Sequence, residues 1–189
     1  RYSQPKVIHL ITEHPHEHMA EVARQLKRNG SILSLEPLID FREWSNKDEM
    51  IEFSKEADIV TPDWPSASRI AGSDAPLKVM KYWSRLGPSL IAVRHGRHGS
   101  YTWDSEHDQF WHILPVPVKA VDPTGAGNSY GGGLAVGWHQ TNDACQSGCY
   151  GAVSAYSLVR QYSLPKMTLE LQAEAQELLQ SAFESVRAL

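Results

Sequence analysis

The chain is 189 residues long, enough for one domain with a packed core, and its 41% hydrophobic and 21% charged residues exclude a disordered chain. A net charge of −4 with the histidines neutral argues against a nucleic-acid binder, which would show a basic face. No apolar run is long enough to span a bilayer, so no membrane partner is expected.

No secretory signal is visible, and a chain opening on Arg1 rather than Met is expected to be a piece of a longer protein. The two cysteines, Cys145 and Cys149, stand four apart in a stretch with helical spacing. A disulfide within a helix is geometrically poor, and two thiols do not make a zinc site. They read as reduced core or boundary residues, and the expected setting is reducing and cytoplasmic.

In chain order, Lys6 to Thr12 reads as a buried strand. Pro15 to Asn29 reads as a helix, with Met19, Val22, Ala23 and Leu26 on one face and Gly30 ending it. Ser31 to Leu35 predicts a second strand, Asp48 to Glu56 a short helix and Ala57 to Thr61 a third strand. A Pro-rich turn leads to a short helix ending near Gly72, and Ala75 to Leu86 predicts another. Leu90 to Arg94 reads as a fourth, parallel-type strand. Ser100 to Trp103 and Gln109 to Ile113 alternate and predict an antiparallel pair. Helices are expected over Gly131 to Gln140, Asp143 to Arg160 and Thr168 to Arg187, with Asn142 or Asp143 and Thr168 as caps. Strands alternating with helices predict a single α/β domain over 1–189 with a mostly parallel sheet.

Three stretches carry candidate chemistry. His14, His16 and His18, with Glu13 and Glu17 beside them, have the residue types of a metal site. No further ligands complete the set, and solvated histidines at a helix end are the preferred reading. Arg94-His95-Gly96-Arg97-His98-Gly99-Ser100 follows a strand, where ligands bind in open parallel sheets. It reads equally as a phosphate contact or as a hairpin turn with both Arg side chains in water.

The third stretch runs from Val121 through Asp122-Pro123-Thr124-Gly125-Ala126-Gly127-Asn128 to Gly133. Bare backbone before a helix presents free N–H groups and a partial positive charge to one spot, which suits a phosphate. It is not a Walker A loop, because no Gly-Lys-Ser/Thr follows. Nor is it a dinucleotide fingerprint, since Tyr130 stands where the third Gly would be. A loop that merely packs helix on sheet is the alternative. Asp122, Thr124 and the polar residue just inside the helix favour the phosphate.

Asp122-Pro123-Thr124-Gly125-Ala126-Gly127-Asn128 resembles the D-T-x-G-A-G-D signature of the ribokinase, or PfkB, carbohydrate kinases. Ala57 to Asp63 resembles the strand leading to that family's N-x-x-E motif. Val93 to Ser100 resembles its T-L-G segment and Gly hairpin, and Gly151 to Ala155 its small-residue helix beside the adenine. Glu36-Pro37 is similar to fungal members of the superfamily. The resemblance runs from about Lys6 to Pro165, which implies a ribokinase-like three-layer α/β/α fold with its N-terminal part absent.

The resemblance implies transfer of a phosphoryl group from ATP, with Mg²⁺, to a hydroxyl of a small sugar-like or nucleoside substrate. The Gly125, Ala126 and Gly127 amides would form the anion hole. Asp122, Thr124, Arg94 and Gly96 would border the nucleotide phosphates and ribose, and Ser154 the base. Four departures qualify it. Asn128 occupies the place of the catalytic Asp and cannot take a proton from the hydroxyl. The N-x-x-E motif reads Asp63-Trp64-Pro65-Ser66, so a Ser stands for the Mg²⁺-organising Glu, with Asp63 as a substitute oxygen ligand. Arg94-His95 replaces Thr-Leu. The half that supplies the sugar pocket and lid is missing. A catalytically degenerate member that binds a nucleotide or a partner protein is therefore the alternative. A plain interaction domain, suggested by the six Trp residues, is the third reading.

Overall fold

A computed structural model describes residues 4–40 and 42–188. Seven strands form one sheet in chain order: β1 (Val7–Thr12), β2 (Ile32–Pro37), β3 (Ile59–Val60), β4 (Leu90–Arg94), β5 (Ser100–Asp104), β6 (Gln109–Ile113) and β7 (Arg187–Ala188). β1 to β4 pair in parallel, with Leu35 beside Leu10 and Val60, and Val60 beside Ile91. β5 to β7 extend the sheet antiparallel. The parallel part needs helical crossovers, whereas the β4–β5 and β5–β6 links are the short turns that antiparallel pairs allow.

Those crossovers are α1 (His18–Arg28), α2 (Lys47–Ser54), α3 (Trp64–Ala71) and α4 (Pro76–Ser84). All four lie on one face, over Leu10, Leu33, Leu35, Ile91, Val93 and Trp103. Residues of opposite parity on the same strands face α5 (Ala126–Thr141) and α6 (Ala144–Val159): Val7, Ile32, Ile59, Leu90 and Ala92 meet Tyr130, Leu134 and Trp138. Period-two alternation thus splits each strand between two helical layers. α7 (Leu169–Glu184) packs outside α6, and Ala182 joins Ile113, Cys145, Cys149 and Val153 in a smaller core. The arrangement is the three-layer α/β/α expected. Among the described residues no helix is long and apolar enough to cross a membrane.

Most local signals are visible in the capping. Asp63, Asp143 and Thr168 each accept a hydrogen bond from a backbone N–H of the first turn of α3, α6 and α7. Gly72 closes α3 in the left-handed conformation. Three expectations are corrected. α1 begins at His18 rather than Pro15, because the His14 amide turns back to donate to Thr12 Oγ1 at 3.0 Å. α5 begins at Ala126, five residues before the expected start. The last helix stops at Glu184, and Arg187–Ala188 pairs with Trp111 and His112 instead of extending it.

The early start of α5 rests on tertiary packing. Gly is a poor helix former, yet the helix runs through five of them. A Cβ at Gly133 would press on the Tyr150 carbonyl and the Ser154 side chain, and one at Gly137 on Tyr150 and Ser147. The bare surface lets α5 and α6 approach backbone to backbone, and that contact outweighs the propensity. α5 ends up aimed, N-terminus first, at the carboxyl ends of the parallel strands.

Candidate nucleotide-phosphate site

Gly125 is the N-cap of α5 at φ 77°, a left-handed conformation in which a side chain would be strained. The preceding turn is braced at both ends. Val121 and Asp122 donate their amides to the Val159 carbonyl at 2.7 and 3.1 Å, fastening the loop to the end of α6. The Thr124 amide donates to Asp122 Oδ1 at 2.9 Å. This bond, with the Thr124 side chain, holds the Asp122 carboxyl below the usual range, so Asp122 stays ionised at neutral pH.

In the first turn, the Ala126 amide donates to the Pro123 carbonyl at 3.1 Å, and the Ser129 amide to Gly125 at 2.9 Å. Helix geometry leaves the Gly127 and Asn128 amides without an intrahelical acceptor. Gly127 is half-buried and Asn128 exposed, so a ligand can reach both. Here the dipole and two free donors converge, as anion binding at a helix start requires.

Beside this turn runs a groove of about 1100 Å³ between α5 and α6 on one side and α7 with its lead-in on the other. Asp122, Thr124, Gly125, Asn128 and Ser154 all line it, so five of the site residues expected from sequence share one concave surface. The wall is mostly apolar, with Val136, Tyr150, Leu158, Leu171 and Leu179, and it carries Gln161, Gln172 and Gln176 as polar groups. A groove of this size with an apolar wall and a helix N-terminus at its edge suits a molecule with a phosphate and a ring. Ser154 Oγ lies 2.9 Å from Ser129 Oγ, and Ser129 Oγ donates to the Ser154 carbonyl at 3.1 Å.

Arg94 and Gly96 lie apart from the groove lining. Arg94 ends β4 and reaches Gly127 from the sheet side, and a Cβ on Gly127 would collide with the guanidinium. Gly96 opens a 3-10 turn over Gly96–His98. Arg94 is not in water, as the hairpin reading had it. Its Nη2 lies 2.8 Å from Glu36 Oε1, and the Glu36 side chain is 4% exposed. Glu36 Oε2 in turn lies 3.6 Å from His9 Nε2, and His9 Nδ1 lies 3.0 Å from Ser34 Oγ. The His9 ring packs against Gly131 of α5. His9 and Glu36 were missed as part of the site. The available signal was a Glu at the end of a buried, mostly apolar strand, since a buried carboxylate needs a partner.

Asp63 continues β3 alongside Arg94 through an isolated parallel bridge. Its Oδ1 accepts the Ser66 amide at 3.1 Å, so one of its oxygens serves the α3 cap. Among the described residues no three His, Cys, Asp or Glu side chains gather as a metal site, the His14–His18 run included. The protein donors therefore do not form a Mg²⁺ cage; a divalent ion would be held chiefly by nucleotide phosphates and water.

The fold and site together define a class. The model of the pfkB family of carbohydrate kinases matches residues 2–168, and the chain belongs to that family. It is 30% identical over 156 residues to a 5-dehydro-2-deoxygluconokinase of Clostridium perfringens, covering 74% of this chain and 44% of that protein. The ribokinase of Thermotoga maritima superposes with a TM-score of 0.69 at 21% identity, over 93% of this chain and 57% of its own. The aminoimidazole riboside kinase of Salmonella enterica, complexed with aminoimidazole riboside and an ATP analog, gives 0.71 at 18%, over 93% and 63%. These structural likenesses establish a ribokinase-like fold. The chain spans about half the length of the curated relatives it matches.

Proposed function

We propose that this chain is the ATP-binding, C-terminal portion of a PfkB-type carbohydrate kinase, a single α/β domain that works with a substrate-binding half. The full enzyme would transfer the γ-phosphoryl group of ATP to a hydroxyl of a small sugar-like or nucleoside substrate. The observation that carries this reading is the groove ending at the α5 N-terminus, where Asp122, Thr124, Gly125, Asn128 and Ser154 meet. Relatives named as sugar and nucleoside kinases support it.

In this reading the base and ribose occupy the groove, with Ser154 near the base and Asp122 and Thr124 along the phosphates. Gly125, Ala126 and Gly127 form the seat of the transferring group. The Gly127 and Asn128 amides make its strongest contacts, because the Ala126 amide already serves Pro123. Arg94 borders the seat from the sheet side, and Gly96 lies at the same strand end. Mg²⁺ brought in with ATP would neutralise phosphate charge, and Asp63 would be a candidate oxygen ligand for it. Asn128 accepts a hydrogen bond from the attacking hydroxyl and orients it but cannot keep its proton. Phosphoryl transfer depends largely on positioning and charge stabilisation, so a slow reaction remains open to this site.

The test joins this chain to a substrate-binding half and measures turnover. Asn128→Asp supplies a general base and should raise the rate by about 10²–10⁴-fold with little change in ATP affinity. Peptide mass analysis confirms that Asn128 has not deamidated in the parent protein. If ATP binds but neither form phosphorylates any sugar or nucleoside, the alternative holds: a degenerate member acting as a nucleotide-binding or partner-binding module, which Asn128 and Ser66 favour. If ATP binds neither form, the nucleotide-site reading falls.

A further inference from the structure

Two charge changes meet at the first turn of α5. Asn128 stands where the family signature has Asp, and Arg94, packed against Gly127, stands where the family has Thr. Both steps move this turn toward positive charge. The N-x-x-E motif keeps its charge, with Asp63 for Asn and Ser66 for Glu, so the new fixed cation at α5 is not balanced there.

The structure shows that this cation is held in place. Glu36, 4% exposed, grips Nη2 of Arg94, which directs the rest of the guanidinium against Gly127. Glu36 Oε2 and Arg94 Nε are both buried without a hydrogen-bond partner among the described residues. A buried ion pair with unmet bonds is costly for stability alone. The pair is oriented: the guanidinium packs directly against Gly127, and Glu36 Oε1 stands farther from it on the β2 side. An anion seated there would meet the cationic end, two N–H donors and the helix dipole. Arginine is permanently charged and presents a planar fork matched to phosphate oxygens.

We propose that Arg94, positioned by Glu36, supplies the charge that a divalent cation would otherwise supply at the α5 N-terminus, so that this site binds a polyphosphate anion without needing Mg²⁺. The inference rests on the phosphate-seat reading above and deepens it. ATP affinity is measured by calorimetry on the chain, in excess Mg²⁺ and again in EDTA. The wild type is expected to bind equally in both, within about threefold. Arg94→Gln should weaken binding in EDTA by about tenfold or more, the scale of a lost charge-assisted hydrogen bond. Mg²⁺ should restore part of that loss, so metal dependence appears only when Arg94 is gone. A merely structural role would not create metal dependence.

Arg94→Lys keeps the charge and should keep binding in EDTA; an unfolding midpoint for each variant shows whether it folds. The proposal is overturned if wild-type affinity falls about tenfold in EDTA, or if a folded Arg94→Gln binds as tightly as wild type without metal. Inorganic triphosphate separates the two levels. If ATP fails to bind the wild type but triphosphate binds without metal and through Arg94, the nucleotide reading falls and this one stands. If neither binds, both fall.

Discussion

The two faces of the parallel sheet are built from alternate residues of the same strands, yet they do opposite work. Facing α1 to α4, Leu33, Leu35, Val60, Ile91 and Val93 are wholly buried, and Trp83 of α4 is covered completely, its Nε1 donating to the Ala67 carbonyl at 3.3 Å. Facing α5, apolar Ile32, Ile59, Leu90 and Ala92 share the sheet with polar His9, Ser34, Glu36 and Arg94, and Ser100 accepts a hydrogen bond from the buried Tyr130 hydroxyl at 2.8 Å. A shift of one residue along a strand thus separates an all-apolar core from a face that carries both a core and a buried polar array. The apolar face can be expected to fix stability. The polar face gives some of it up to hold a charge beneath α5.

The strongest way to break this comparison is Trp83→Ala. Truncating a fully buried Trp should cost about 3–5 kcal/mol in chemical denaturation. The surviving folded fraction should bind ATP with unchanged affinity. A loss of affinity in folded protein would mean that the two faces are not independent.

Gly127→Ala probes the other face. A Cβ there collides with the Arg94 guanidinium and displaces it from its place against Gly127. ATP affinity, read by calorimetry, should fall by about tenfold. The helix itself should not suffer, because Ala favours a helix over Gly by about 1 kcal/mol. The smallest effect lies at the edge of the apolar face. There the His95 ring stacks on Trp64 at 4.2 Å, and burial, then the like charges of His98 and His112, hold its pKa below the usual value. The unfolded chain therefore takes up the proton first. Stability is intact above about pH 6.5 and declines as the pH falls from there toward the lowered folded-state pKa. Unfolding midpoints between pH 7 and 5 should fall less steeply in His95→Gln than in the wild type.

The fold was legible in sequence wherever burial set the pattern. β4 and β6 match their expected bounds because each is fixed by a compact apolar or alternating run. Asp63, Asp143 and Thr168 announce helix starts through their own side chains. The start of α5 was hidden because its glycines are unfavourable locally and become helical only against α6. β7 was hidden because Arg187–Ala188 follows a helical run and turns to strand only by pairing with β6. At the site, Gly125 to Asn128 stood out through backbone chemistry in consecutive residues. The His9–Glu36–Arg94 array did not, since its members come from three strands and only the sheet brings them together.

The glycine contact between α5 and α6 also bears on how a ligand could enter and leave. With Tyr150 and Ser154 pressed against Gly133 and Gly137, the two helices and the turn before α5 form one closely packed body. Widening of the groove then falls to its opposite wall. That wall hangs on the 161–168 connection, whose Tyr162, Leu164 and Met167 are 75%, 80% and 74% exposed. Near its start, Arg160 Nη2 fastens it to Glu174 Oε2 at 2.8 Å in a solvent-screened ion pair. The far end of α7 is anchored through Ala182 and β7. Such a wall can swing like a door hung at the β7 end, with the ion pair as its latch, while the α5–α6 body keeps its spacing.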